Sequence, residues 1–360
     1  MDKIKILFVG DLNEYARSYQ RFKTLERLGF NVHGLSSVPI GDIPGVSQKI
    51  SFREKVQHKL GRHKDKTGIN KSLVKKLQEF QPDVLWIEKV LCLKSKLLKE
   101  IRLKHPETKI IHCCEDDMFA KHNSSVNFRE SLTLFDFVFT TKTYNLNAEE
   151  LPSLGAKRVE IFKNCFDPEL NKPVKPRDEF LCDVSFIGTF EEDRAQKCLY
   201  LAEHGINIRL WGNGWDSYKN RNPNLHIENK PVYNDDFVSA LSSSKINLCF
   251  LRKINRDLQT SRSVEIPACG AFMLAERTDE HLKLFEENKE AAFFDQSNPE
   301  ELLDKVRYYL GNNEERNEIA QKGRERCLKS GYSHDEELKR MLGIVLGEGR
   351  RSTNYTNLMN

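Results

Sequence analysis

Short apolar runs, each closed by a turn and followed by a helical pattern, recur along this chain and restrict it to an α/β fold. Residues 4–9 form a continuous apolar run that ends at Gly10; residues 18–28 have helical periodicity, Gly29 stops them, and residues 32–35 open a second run. A run without polar alternation predicts a strand buried on both faces, and β–loop–α–β order predicts a parallel, doubly wound sheet. The same reasoning predicts strands at 82–87, 109–113, 137–140 and 159–162, with helices ending at His105 and spanning 145–154. Residues 171–180, rich in proline and charge, read as a linker. A second βα series follows, with strands at 184–187, 206–210, 246–250, 271–275 and 291–294 and helices at 194–204, 234–241, 299–310, 314–329 and 334–346. A chain of 360 residues is long enough for two such domains.

The segment from Asp257 to Arg277 carries the most chemistry. It reads as a polar loop, a helix with Thr260 and Ser261 as N-cap candidates running to Ala268, a glycine stop at Gly270 and a buried strand. Pro267 removes a hydrogen bond inside that helix and bends its last turn. A helix start gathers unpaired N–H groups and suits a phosphate. Glu265, about a turn inside, suits the vicinal hydroxyls of a ribose, and Arg262 suits a diphosphate. Asp257 lies in the loop facing the same mouth. The alternative is a buried helix–strand joint with exposed polar residues.

Residues 260–294, TSRSVEIPACGAFMLAERTDEHLKLFEENKEAAFF, resemble the CgeB-type glycosyltransferase family. The acid–seven spacers–Glu pattern of Asp257 and Glu265 also resembles the nucleotide-sugar site of retaining GT-B glycosyltransferases, although the first acid is Asp rather than Glu. The resemblance covers roughly residues 80–345. It implies two facing Rossmann-like domains with an interdomain cleft and a C-terminal helix crossing back: residues 1–170 for the acceptor, 171–332 for a nucleotide-sugar donor, 333–346 as the returning helix and 347–360 as a flexible tail. It implies transfer of a sugar from a nucleoside diphosphate, a UDP-sugar being favoured, to a hydroxyl of a cell-envelope glycan, lipid-linked sugar or protein. Anomeric configuration would be retained, with no metal or other cofactor. Donor contacts are expected from Thr260, Ser261, Arg262, Ser263 and Glu265. Strand-end glycines in the second series add Gly188 and Thr189, with Arg194 for charge, and the turn at Trp211 and Gly212, where an indole offers a floor for a ring. Tyr233 is the candidate for the base pocket.

In the first half, Glu115, Asp116, Asp117 and His122 follow the carboxyl end of a predicted strand. Asp116–Phe119 and His122-Asn123 match the DDMF..HN element of the CgeB pattern. Asp116, Asp117, His122 and Asp257 are therefore the catalytic candidates, since glycosyl transfer needs acid–base groups or a carboxylate facing an oxocarbenium-like centre. Glu115 with Asp117 is alternatively a metal grip of a metal-dependent transferase. Gly10, Asp11, Tyr19 and Lys89 are acceptor-side candidates. Across residues 52–77 nine Lys and Arg against Glu54 and Asp65 leave +7 by count, with little apolar face. Such a stretch meets an anionic membrane surface or acidic glycan, or is a solvated helix pair.

A net charge of +4 with 31% charged residues does not call for a nucleic-acid partner. Nine scattered cysteines without a CxxC fit core packing in a reducing compartment. The apolar run at the N-terminus is too short for a signal peptide and no stretch approaches a membrane span, so the expected location is cytoplasmic, with possible docking at the inner membrane face. The rival from another class is a catalytically silent sugar-nucleotide or glycan-binding protein of the same fold.

Overall fold

The structure, a computed structural model, describes residues 3–43 and 51–347; the expected tail lies, from 348 on, outside the described residues. The chain divides into two units, one built from the stretch up to Lys163 together with the stretch that begins at Glu337, the other from Asn164–Glu336.

The first unit holds β1 (Lys5–Gly10), α1 (Arg17–Arg27), β2 (Asn31–Ser36), α2 (Phe52–Lys59), α3 (Ile69–Phe80), β3 (Val84–Glu88), α4 (Ser95–Lys104), β4 (Lys109–Cys114), α5 (Val126–Ser131), β5 (Phe137–Thr140) and β6 (Val159–Ile161). Its sheet is parallel, in the order β2-β1-β3-β4-β5-β6. Alternate residues of β1 enter opposite cores: Leu7 and Val9 one, Ile6 and Phe8 the other. Burial on both faces is what an unbroken apolar run requires.

The second unit holds β7 (Cys182–Ile187), α6 (Glu192–Glu203), β8 (Ile208–Trp211), β9 (Leu225–Ile227), α7 (Asn234–Ser242), β10 (Ser244–Cys249), α8 (Arg262–Ala268), β11 (Met273–Glu276), α9 (Asp279–Leu284), β12 (Ala292–Phe294), α10 (Pro299–Gly311) and α11 (Asn313–Lys329). Its parallel sheet runs β12-β11-β10-β7-β8-β9. Strand order reverses between β7 and β10, which leaves a crevice at their carboxyl ends, the usual ligand position of an open α/β sheet. The last helix, α12 (His334–Leu346), places Leu338, Met341, Leu342 and Val345, at helical spacing, in the core with Ile6, Phe8 and Trp86.

Three expectations change. Residues 145–154 are not a helix but two 3-10 turns, Thr143–Leu146 and Pro152–Leu154; Pro152 interrupts the segment, and the buried Asn145 amide bonds to Asp117 and Glu150 instead of leaving the backbone to wind on. The basic stretch has an apolar face after all, because Ile69, Leu73 and Leu77 bury one side of α3. α11, whose dense charge reads as a solvated helix, backs α8: a Cβ on Gly323 would lie 3.3 Å from Pro267 Cβ. Among the described residues no helix is long and apolar enough to cross a membrane.

Candidate functional site

At the carboxyl edge of the second sheet, the loops after β7 and β8 clasp each other. Gly188 N–H donates to the Trp211 carbonyl (2.8 Å), Phe190 N–H to the Asn213 carbonyl (3.0 Å), and Trp215 Nε1–H to the Gly188 carbonyl (3.0 Å). Gly212 sits at φ +145°, and a Cβ there would lie 2.6 Å from the Gly188 carbonyl carbon. Gly212 is thus required by loop-to-loop contact and Gly188 by the Phe186 ring, which would lie 2.5 Å from a Cβ there, and Thr189 is exposed beside them. Trp211 offers no ring floor. It is fully buried, packed against Phe180 and the Arg209 guanidinium, because a strand-end indole between two core layers gains more from burial than from lining a mouth.

Arg194 is likewise turned inward and is not a loose cation for a diphosphate. Its guanidinium donates to the Thr189 carbonyl (3.1 Å) and the Leu251 carbonyl (3.0 Å), tying the loop after β7 to the loop after β10. Beside it Glu276, at the end of β11, accepts the Leu251 N–H (3.2 Å) and pairs with Lys197 at 3.5 Å. Burial raises the Glu276 carboxyl, against the pull of Lys197. Sequence reasoning missed Glu276 and Lys197. Their signal was an acid ending a buried strand, which needs a partner when desolvated.

α8 begins at Arg262, and Ser261 makes no side-chain cap bond, contrary to expectation. Ser263 instead fastens the chain entering the helix: its hydroxyl accepts the Thr260 N–H (3.0 Å) and meets His281 Nε2 (2.7 Å), while His281 Nδ1 meets the Glu276 carbonyl (2.6 Å). A carbonyl can only accept, so Nδ1 carries the proton and Nε2 accepts from Ser263. Ser263 is fully buried and its hydroxyl committed, so it shapes the loop rather than touching a donor. Ser261 is buried too, its hydroxyl 3.4 Å from Asn164 Oδ1. With only seven residues and Pro267 inside, α8 contributes little dipole. Its chemistry lies in Arg262 and Glu265. Glu265 is only 3% exposed and is ion-paired with Arg262, whose guanidinium stacks 4.1 Å over Phe237. Burial raises the half-buried Tyr233 phenol, and nearby Arg262 opposes that. Asp257 stays partly exposed, accepting from Asn255 Nδ2 (2.7 Å) and the Arg252 N–H (3.4 Å).

Desolvation holds His281 down at about 4. Below its ordinary value near 6.5 the unfolded chain binds a proton that the folded chain refuses, so stability falls as pH drops from about 6.5 to about 4, by about 3 kcal/mol in total. Denaturant midpoints followed by tryptophan emission at pH 7, 6 and 5 are expected to decline, and His281→Gln to flatten the decline. His112 of the first unit, held at about 3 by burial between Phe128 and Phe135, acts in the same direction.

In the first unit, the acidic loop after β4 splits three ways. Glu115 is bound by Arg17 and by Arg21 (2.6 Å), and Arg21 also holds Glu88 (2.6 Å); the two guanidiniums keep the Glu115 carboxyl far below the carboxylate range despite burial. Asp116 pairs with Lys89, both part-exposed. Asp117 is fully buried, accepting from the Phe119 N–H (3.2 Å), the Ala120 N–H (3.4 Å) and Asn145 Nδ2 (3.0 Å). Asp117 is therefore a turn-forming carboxylate and not a catalytic one. Glu115 and Asp117 do not form a metal grip either, since one is committed to arginines and the other to its own turn. His122 is exposed on the turn Lys121–Asn123. Gly10 packs near Glu88 and Ser18, Asp11 accepts from Asn13 and Tyr15 (3.0 Å to each of the Asn13 N–H and the Tyr15 hydroxyl), and Tyr19 stacks on Phe22.

Residues 194–343 match the family model described as glycosyl transferase-like. No curated protein matches the chain. Among solved structures the chain is similar to sucrose-phosphate synthase from Thermosynechococcus elongatus (12% identity, 97% of this chain and 100% of that chain, TM-score 0.67). It is similar to an alpha-glucosyltransferase in complex with UDP-glucose and DNA containing an abasic site (13%, 96% and 100%, TM-score 0.68). It is also similar to HepE from Anabaena in complex with UDP (14%, 95% and 100%, TM-score 0.60). At these identities the likeness is one of fold. The two parallel six-stranded Rossmann-like sheets are those of the GT-B fold, and the second unit carries a glycosyltransferase-type domain.

Proposed function

We propose that the chain is a nucleotide-sugar-dependent glycosyltransferase. The observation that carries this reading is Glu265, buried and held by Arg262 in α8, which follows β10 at the strand-order reversal, within the residues that match the glycosyl transferase-like model. A fixed carboxylate accepts two hydrogen bonds from the vicinal hydroxyls of a ribose. Arg262, with part of its guanidinium still open, meets the diphosphate. Gly188, Thr189 and Gly212 shape the wall beside it, Tyr233 faces the base, and Asp257 the sugar hydroxyls. UDP is the favoured nucleotide, because the alpha-glucosyltransferase and HepE of the same fold are seen with it.

In the reaction the bond from the anomeric carbon to the diphosphate oxygen breaks, its electron pair leaving with the diphosphate, and the acceptor oxygen bonds to that carbon while its proton passes to the departing diphosphate oxygen. Arg262 stabilises the departing charge, a role that does not call for a metal. Asp116, His122, Lys89 and the Gly10–Asp11 turn with Tyr19 are assigned to a hydroxyl acceptor on a glycan, lipid-linked sugar or protein, with retention of configuration. Nine scattered cysteines, seven of them buried, suit a reducing, cytoplasmic setting.

The test is thermal unfolding with UDP, GDP, ADP, CMP and TDP and their sugars. One nucleotide at about a hundredfold over Kd is expected to add about 2.7 kcal/mol, roughly 5 °C or more in Tm, with slow release of free nucleoside diphosphate from its sugar. A panel with no shift removes the reading, and a shift without hydrolysis leaves a binding protein.

A further inference from the structure

An amphipathic helix in a folded domain turns its apolar side inward. α2 does the reverse. At about 100° per residue, Phe52, Val56 and, just past the helix end, Leu60 share one side, and they are 83%, 44% and 61% exposed. The side chains nearest the domain are the half-buried Glu54 and Gln57. Arg53 borders the apolar stripe on one edge, Lys55 and Lys59 on the other. The helix is nevertheless well specified, by a complete capping box: Ser51 Oγ accepts the Glu54 N–H (3.2 Å), and the Glu54 carboxylate accepts the Ser51 N–H (3.1 Å). Gly61 then accepts the Val126 N–H (3.0 Å), which brings a further exposed valine beside Leu60. Arg62, Lys64 and Lys66 add charge beyond it. α3, in contrast, is anchored by Ile69, Leu73 and Leu77, so the basic stretch consists of a held half and an outward-facing half.

We propose that α2 docks on an anionic lipid surface, with Phe52, Val56 and Leu60 entering the headgroup boundary and Arg53, Lys55 and Lys59 meeting lipid phosphates. Charge selects this occupant. An apolar stripe bordered by cations on both edges complements a surface that is anionic outside and apolar beneath. A second copy of the same face would set those cations against each other. The inference uses the first unit only and does not rest on the transfer reaction, so the two fail separately.

The full chain is sedimented with phosphatidylcholine vesicles, with and without phosphatidylglycerol. Binding is expected only with phosphatidylglycerol and is weakened by salt. Lys55→Glu with Lys59→Glu is expected to weaken it by about tenfold or more. Phe52→Ser with Val56→Ser and Leu60→Ser is expected to abolish it at an unchanged thermal midpoint. Phe52→Trp supplies an insertion signal, since the three native tryptophans are fully buried, and its emission is expected to shift blue on anionic vesicles alone. Absence of wild-type binding, equal binding to both vesicles, an unshifted Phe52→Trp, or a wild-type dimer that the serine variant makes monomeric would each overturn the proposal.

Discussion

Gly212→Ala is expected to disrupt the carboxyl edge of the second sheet, costing about 3 kcal/mol or more and removing nucleotide binding. Two penalties coincide. The φ of +145° is a region that side-chain-bearing residues rarely enter. The new methyl would also lie 2.6 Å from the Gly188 carbonyl carbon and closer still to its oxygen. That neighbour is backbone and cannot swing away. Relief would require parting the loops after β7 and β8, breaking the Gly188–Trp211 bond and the Trp215 bond to the Gly188 carbonyl. Gly205→Ala is the matched control. Gly205 also has positive φ, at +83°, but nothing lies within 4 Å of its would-be Cβ, so it is expected to cost only about 1 kcal/mol. Equal denaturant midpoints for the two variants would show that the loop clasp does not matter.

That clasp was only half legible in the sequence. Continuous apolar runs gave away both sheets, because a strand covered on two faces has no polar positions to hide it. A glycine just after such a run marked the two loops of the clasp, Gly188 after β7 and Gly212 after β8. What one dimension does not carry is which way a polar side chain turns. Arg194 and Asp117 stand where ligand-binding groups stand, yet Arg194 finds the Leu251 carbonyl 57 residues away and Asp117 finds Asn145 28 residues away. Ser263 looked like an open hydroxyl until His281, 18 residues on, took it. In each case a long-range partner met the desolvation cost, and a side chain read as available became a fastener. Glu265 stands out as a donor-contact candidate because its spacing from Asp257 carries the GT-B resemblance and its place before a glycine stop is a local property. Its Arg262 partner, three residues back, is local as well.

Glu265→Ala is expected to weaken donor binding by about 3 kcal/mol, roughly a hundredfold in Kd, the worth of two hydrogen bonds to a carboxylate. Alanine also leaves Arg262 without its ion-pair partner in a mostly buried place, which by itself destabilises the fold. A fall in activity alone would therefore not separate binding from folding. Glu265→Gln separates them, because it keeps the volume and one acceptor oxygen while losing the charge. Its thermal midpoint is expected to stay closer to wild type than that of the alanine variant, with donor affinity intermediate between the two. The decisive comparison is a donor lacking the ribose 2′-hydroxyl. Wild type is expected to bind it about tenfold more weakly than the intact donor, whereas Glu265→Ala, having no carboxylate to lose, binds both alike. If Glu265→Ala still discriminates the two donors as wild type does, the ribose is held elsewhere and Glu265 serves only to fix Arg262.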